Sequence, residues 1–157
     1  MFREMRRDKQ LLPAAKTAEV MARCTHGVLA CLGDNDYPYA VPLSFVYFDG
    51  KIYFHSAAEG HKIDAITKQP QVSFAVVDED RIVSEEYTTY FRSVIAFGKA
   101  RIVQGEERLA AFRALVEKYC PDQPGETNSK TVAGCMRSTI IALDLDHVTG
   151  KEAVECR

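Results

Sequence analysis

The sequence predicts a mainly β fold, a closed or nearly closed antiparallel β-barrel with peripheral helices. Two observations carry that prediction. Six segments rich in β-branched and aromatic residues are punctuated by Gly, Pro, Asn and Asp, as half-buried pleated strands are. The helical patterns between them are short and fall irregularly, so the β-α-β alternation of a parallel sheet is missing. With 157 residues, no internal repeat and no low-complexity segment, the chain reads as a single domain (residues 1–157) with room for a substantial core.

In chain order, residues 1–12 (MFREMRRDKQLL) are charged and read as a poorly packed N-terminal arm. Residues 13–24 suit a helix, with Pro13 in its first turn and Ala14, Ala15, Ala18, Met21 and Ala22 as a small apolar face. Residues 28–32 form a first strand, and Gly33-Asp34-Asn35-Asp36 is a turn by composition. A long second strand covers residues 37–48, Asp49-Gly50 is a two-residue hairpin signal, and residues 51–56 are the third strand. Pro42 stands inside the second strand, where its missing N–H breaks the ladder. Residues 59–68 form a short helix stopped before Pro70, and residues 71–77 a fourth strand with Val72, Phe74 and Val76 on one face. Residues 87–103 are long enough for a bent strand, with Gly98 at a bulge. Leu109, Phe112, Leu115 and Val116 make residues 106–119 an amphipathic helix. A turn-rich loop over 120–130 precedes a short helix over 131–136, a strand over 138–145 and a final extended piece, HVTGKEAVE.

Composition narrows the function classes. Hydrophobic residues make up 46% and charged residues 27%, and the formal net charge of −2 lacks the basic surface that nucleic acid requires. No apolar run is long enough to cross a bilayer, and no apolar stretch follows the N-terminal charges, so neither a membrane span nor a secretory signal is expected. Cys24, Cys31, Cys120, Cys135 and Cys156 are odd in number and contain no C-x-x-C pair. They read as small apolar thiols rather than a disulfide or zinc framework, which makes a reducing cytoplasm the expected location. No G-x-G-x-x-G between a strand and a helix, Walker loop, H-E-x-x-H or G-x-S-x-G is present. His55 and His61 have no evident third ligand nearby, so no metal site is expected.

The polar chemistry concentrates between Tyr37 and Lys62. His55, Ser56, His61 and Lys62 fall around a strand end and a helix start. A phosphate-sized anion there could take the Ser56 hydroxyl, free amides near Gly60, the positive end of the helix dipole and the Lys62 ammonium. The same residues also suit a solvated helix start with an incidental lysine. Arg92 and Ser93 form a second group. On a strand they point to opposite faces, and the arginine also suits pairing with Glu85 or Glu86. Thr149-Gly150-Lys151 is accounted for by turn chemistry.

Four blocks in order, PYAVPLSFVY, YFHSAAEGHK, RSVIAFGKARIV and HVTGKEA, resemble the pyridoxamine 5′-phosphate oxidase-like flavin-binding superfamily, and within it the nitroimidazole-resistance (Nim-type) branch. The likeness covers nearly the whole chain, from Met5 to Val154. It implies an FMN-binding split β-barrel that forms a homodimer, with FMN in clefts between the subunits. On that resemblance Tyr39, Ala40, Val41, Pro42, Leu43 and Ser44 run along the flavin ring and meet its polar edge with main-chain groups. Pro42 then lies where the ladder yields to the cofactor. His55, Ser56, His61 and Lys62 map to the segment that holds the phosphate and ribityl chain. Arg92 and Ser93 map to a strand position that reaches the cofactor, often from the other subunit. Ser93 stands where the oxidase itself carries a glutamine, which leaves a shorter polar contact. No basic segment for gripping pyridoxal phosphate follows Gly150, so vitamin oxidation is disfavoured.

The implied chemistry is hydride from NAD(P)H to FMN and then electrons to a small-molecule acceptor such as a nitro-aromatic compound. His55 is the expected catalytic residue by the same carry-over, as a proton donor of a type suited to neutral pH. Two other readings stay open. One is a flavin-binding protein without turnover; the other is a heme-binding or heme-degrading member of the same fold with a histidine iron ligand.

Overall fold

A computed structural model describes residues 1–123 and 138–156. One antiparallel sheet of seven strands dominates it, in the order β2-β1-β5-β6-β7-β4-β3. The strands are β1 (His26–Leu32), β2 (Pro38–Ser44), β3 (Val46–Phe48), β4 (Lys51–Ser56), β5 (Gln71–Val83), β6 (Thr88–Val103) and β7 (Thr139–Glu152). Three α-helices, α1 (Ala14–Arg23), α2 (His61–Lys68) and α3 (Gly105–Tyr119), pack at the periphery of the described residues.

The two edge strands, β2 and β3, are consecutive in the chain, and only Phe45 separates them. A sheet whose opposite edges are joined by one residue must curl until those edges meet there. The result is a split barrel, closed by the chain at Phe45 and open along the rest of the seam. Phe45 also explains why the single strand expected over 37–48 is two, and why the strands number seven rather than six. Its side chain is fully buried and packs edge-on against Phe74, with ring centroids 5.0 Å apart. Its main-chain N–H and C=O turn to the Tyr119 hydroxyl instead of a neighbouring strand.

Pro42 does not break the ladder. It stands opposite Val28 in a pairing that continues from Pro38 to Ser44. β2 has a strand on one side only, and an edge strand is where proline is tolerated. Two strands run longer than expected, β5 to Val83 and β7 through the final extended piece to Glu152. Bulges bend these strands: the register slips between Val77 and Glu79, extruding Asp78, and again between Phe97 and Gly98. The second slip puts its extra residue, Asp146, on β7 opposite Gly98 rather than on β6 at Gly98; a Cβ on Gly98 would lie 2.2 Å from the Asp144 carbonyl oxygen, so this close approach requires glycine. α2 begins at His61, later than expected, because Gly60 takes a φ of +125°. The helix expected over 131–136 lies outside the described residues, as does most of the loop before it.

The N-terminal arm is largely exposed but touches the sheet at two places. Leu12 is buried, its N–H donates to the Gly150 carbonyl at 2.9 Å, and Phe2 stacks on His147 at 4.8 Å. Its charges mask an apolar end, Leu11-Leu12, that docks on β7. The barrel interior holds Leu29, Phe45, Ile52, Phe54, Phe74, Val76, Val94 and Leu143. A second cluster under α3 holds Tyr53, Phe112, Leu115, Ile140 and Ala142. β4 serves both, with Ile52 and Phe54 facing the barrel and Tyr53 facing α3.

Candidate functional site

That alternation along β4 divides the group around the strand end. Ser56 is buried and shares the barrel face with Phe54, whereas His55 is exposed on the face of Tyr53. Lys62 goes with Ser56: its Nζ lies 5.9 Å from the centroid of the Phe54 ring. His61 turns toward β2, where its ring stacks on Tyr39 at 4.1 Å and its Nε2 accepts the Asp34 N–H at 3.3 Å. Nδ1 remains for a ligand. Gly33 makes room for this contact, since a Cβ there would lie 2.9 Å from both His61 Nε2 and Tyr39 Cβ. The structure therefore brings Tyr39, Ser56, His61 and Lys62 to one region and places His55 on the other face.

The first turn of α2 has no side-chain cap, because Gly60 stands at the N-cap. Its main-chain N–H groups and the positive end of the helix dipole point past Lys62, which enters no ion pair among the described residues. From this cationic end, β2 runs away with its outer edge unpaired. Tyr39, Val41 and Leu43 pack toward the core, while Ala40, Pro42 and Ser44 face outward and are exposed. Small outward side chains leave the main-chain groups of that edge accessible to a flat ligand. Lysine and amide donors at one end and the unpaired edge of β2 are linked by the stack of His61 on Tyr39.

Arg92 is held among acids. Its Nε donates to Glu152 at 3.0 Å, and its Nη1 donates to Asp78 at 3.0 Å and Glu79 at 3.4 Å. These acids, rather than Glu85 or Glu86, are its partners, because the bulge in β5 turns Asp78 toward it. Arg23 of α1 grips the same Asp78 carboxylate at 2.8 and 2.5 Å. The Arg23 hydrogen bond, with help from Arg92, holds the Asp78 carboxyl down at about 2 against the opposing effect of burial. Only Nη2 of Arg92 lacks a hydrogen-bond partner among the described residues. Ser93 stands opposite Val77 and Lys151. The rung Ala30–Ser73–Phe97 lies beside Cys31, and Arg92 is roughly 17 Å further along β6, so Arg92 and Lys62 are apart within one chain.

Two cavities lie away from Lys62. An apolar one of about 490 Å³ is bounded by the arm, α1, Tyr47 and β7, including His147. A charged one of about 210 Å³ is lined by Lys16, Glu19, Val20, Arg23, Arg92 and Glu152. Among the described residues no cluster of His, Cys, Asp and Glu could hold a metal ion, and no helix is long and apolar enough to cross a membrane.

Two residues near this surface have neighbours that the sequence does not signal. Burial pushes the Cys31 thiol up, while the charge of nearby Lys62 acts the other way. Tyr119 puts its hydroxyl 3.0 Å from the Phe45 nitrogen and 2.7 Å from the Phe45 oxygen, with the Thr25 carbonyl also in contact. Tyr119 and Phe45 are 74 positions apart, and nothing in local spacing signals the pairing.

The sequence profile of the pyridoxamine 5′-phosphate oxidase family matches residues 13–152. Solved structures share the fold. A conserved hypothetical protein from Mycobacterium tuberculosis is 19% identical with a TM-score of 0.81, over 95% of this chain and 90% of that one. A candidate 5-nitroimidazole antibiotic resistance protein from Bacteroides thetaiotaomicron is 21% identical with a TM-score of 0.72, over 90% and 86%. An FAD- and heme-binding protein from Mycobacterium smegmatis is 18% identical with a TM-score of 0.75, over 94% and 74%. No curated protein matches in sequence.

Proposed function

The chain belongs to the pyridoxamine 5′-phosphate oxidase family, and from that premise we propose that it binds FMN and uses it as an oxidoreductase. One observation carries the reading: the surface that joins the uncapped, lysine-bearing start of α2 to the unpaired edge of β2. A phosphorylated flavin asks for both, an anion site at one end and main-chain hydrogen-bonding groups along its ring. Lys62, Ser56, His61 Nδ1 and the first amides of α2 would hold the phosphate. Tyr39, Ala40, Val41, Pro42, Leu43 and Ser44 would lie along the ring, with Ala40, Pro42 and Ser44 small enough for close approach.

His55, the proposed proton donor, faces away from Lys62, and Arg92 lies at a distance from it. A homodimer with FMN between the subunits reconciles these positions, since His55, the Nη2 of Arg92 and Ser93 can then serve the partner's cofactor. Exposed Val77, Ile95 and Phe97 on β5 and β6 offer an apolar surface for such a contact. When bound, FMN supplies hydride and electron transfer. NAD(P)H is the proposed donor and a nitro-aromatic compound the proposed acceptor, the latter supported by the likeness to the candidate nitroimidazole resistance protein. The free thiols Cys24, Cys31, Cys120 and Cys156 are in keeping with a cytoplasmic location.

Heme binding is a second reading, favoured by the histidine His147 lining an apolar cavity of about 490 Å³. The absorbance spectrum of the purified protein separates the two. Flavin bands that bleach with NAD(P)H and return on adding a nitroimidazole support the oxidoreductase. A Soret band would support heme, and flavin bands that NAD(P)H leaves unchanged would leave a binding protein without turnover.

A further inference from the structure

We infer that Tyr119 is a positioning residue for the flavin: its hydroxyl clamps Phe45 and thereby sets where the β2 edge meets the ring. The inference rests on the flavin reading above. Phe45 is the one residue between the two edge strands, and no strand pairing includes it. Its residue surface is 0% exposed, so water is a poor substitute partner for its main-chain groups. The Tyr119 oxygen accepts the Phe45 N–H at 3.0 Å, and its single proton goes to the carbonyl of Phe45 or of Thr25.

Lys118 completes the grip. Its Nζ lies 4.5 Å from the Phe45 ring centroid and donates to the Cys24 carbonyl. The end of α3 thus ties Phe45 to Cys24 and Thr25, the residues that lead into β1. The adjacent rung, His26 opposite Ser44, is the last of the β1–β2 ladder. Holding Thr25 and Phe45 together fixes that rung, and with it the main chain of Leu43 and Ser44. The opposite end of β2 is held separately, by the stacking of Tyr39 on His61. The ring end and the phosphate end of the surface therefore have independent supports.

Titrating FMN and riboflavin into the apo forms of the wild type, Tyr119→Phe and Lys62→Ala tests this. Tyr119→Phe should lose up to about tenfold in affinity for both flavins, since freeing Phe45 costs at most one hydrogen bond's worth of preorganisation, and should move the visible flavin band. Lys62→Ala should lose affinity for FMN alone and leave the band in place. A wild type that binds neither flavin overturns the flavin reading and the role of Tyr119 with it. A wild type that binds while Tyr119→Phe keeps both its affinities and its band overturns the Tyr119 assignment alone, whatever happens to the melting temperature. If Tyr119→Phe does not fold, fluorotyrosine at position 119 keeps the hydroxyl but weakens it as an acceptor. A shifted band then supports the assignment, and an unmoved band with unchanged affinity overturns it.

Discussion

Replacing Lys62 with alanine should separate cofactor affinity from fold stability. The Lys62 side chain is half-buried, and its Nζ lies 5.9 Å from the Phe54 ring centroid with no ion pair among the described residues. To the fold it contributes one cation–π contact, about 0.5–1 kcal/mol. To bound FMN it would contribute a charge-assisted hydrogen bond to phosphate, about 1.5–3 kcal/mol. That is roughly 10- to 150-fold in Kd. Riboflavin carries the same ring without the phosphate, so the variant and the wild type should bind it alike. Flavin fluorescence titrations at two salt concentrations supply the measurement, because added salt screens the phosphate contact in the wild type more than in the variant. Equal losses for FMN and riboflavin would place Lys62 away from the phosphate. An unchanged FMN Kd would remove it from the site altogether.

His55→Ala, assayed at saturating FMN, should lower nitro-aromatic turnover by about a hundredfold, the usual worth of a positioned proton donor; full turnover in the variant would exclude that role. Gly98→Ala places a Cβ 2.2 Å from the Asp144 carbonyl oxygen, backbone that cannot rotate away, and should cost at least about 1–3 kcal/mol in urea unfolding. An unchanged midpoint would mean that the bulge relaxes freely. Asp78 titrates at about 2 in the folded chain, below the ordinary carboxylate range near 3.9, because the Arg23 hydrogen bond favours its charged form. Its contribution is therefore fully present above about pH 4 and is lost as pH falls toward 2. Urea midpoints followed over that window should fall more steeply for the wild type than for Asp78→Asn, and parallel curves would refute the linkage.

Much of the fold is legible along the chain because its signals are local. Asp49 and Gly50 both take positive φ, 49° and 71°, as a two-residue hairpin turn demands. Gly98 marks the close strand approach opposite a bulge because no side chain fits there. Alternation of Val72, Phe74 and Val76 along residues 71–77 orients that strand. The local pattern fails at Phe45, which reads as one more aromatic strand residue. It ends β2 because Tyr119, 74 positions away, takes both its main-chain groups.

The candidate site divides in the same way. Lys62, Ser56 and the uncapped start of α2 were visible as residue types at a strand end and a helix start. By itself the sequence determined most of the elements, their turns and the place of a candidate anion site, since these follow from backbone preferences and periodicity over a few residues. Only the tertiary structure decided which edges of the sheet meet, that His61 stacks on Tyr39, and that Arg92 is held by Asp78 and Glu152 from 14 and 60 positions away. Such contacts depend on which strand curls beside which. That choice is made by burial over the whole barrel, which no short window of the chain contains.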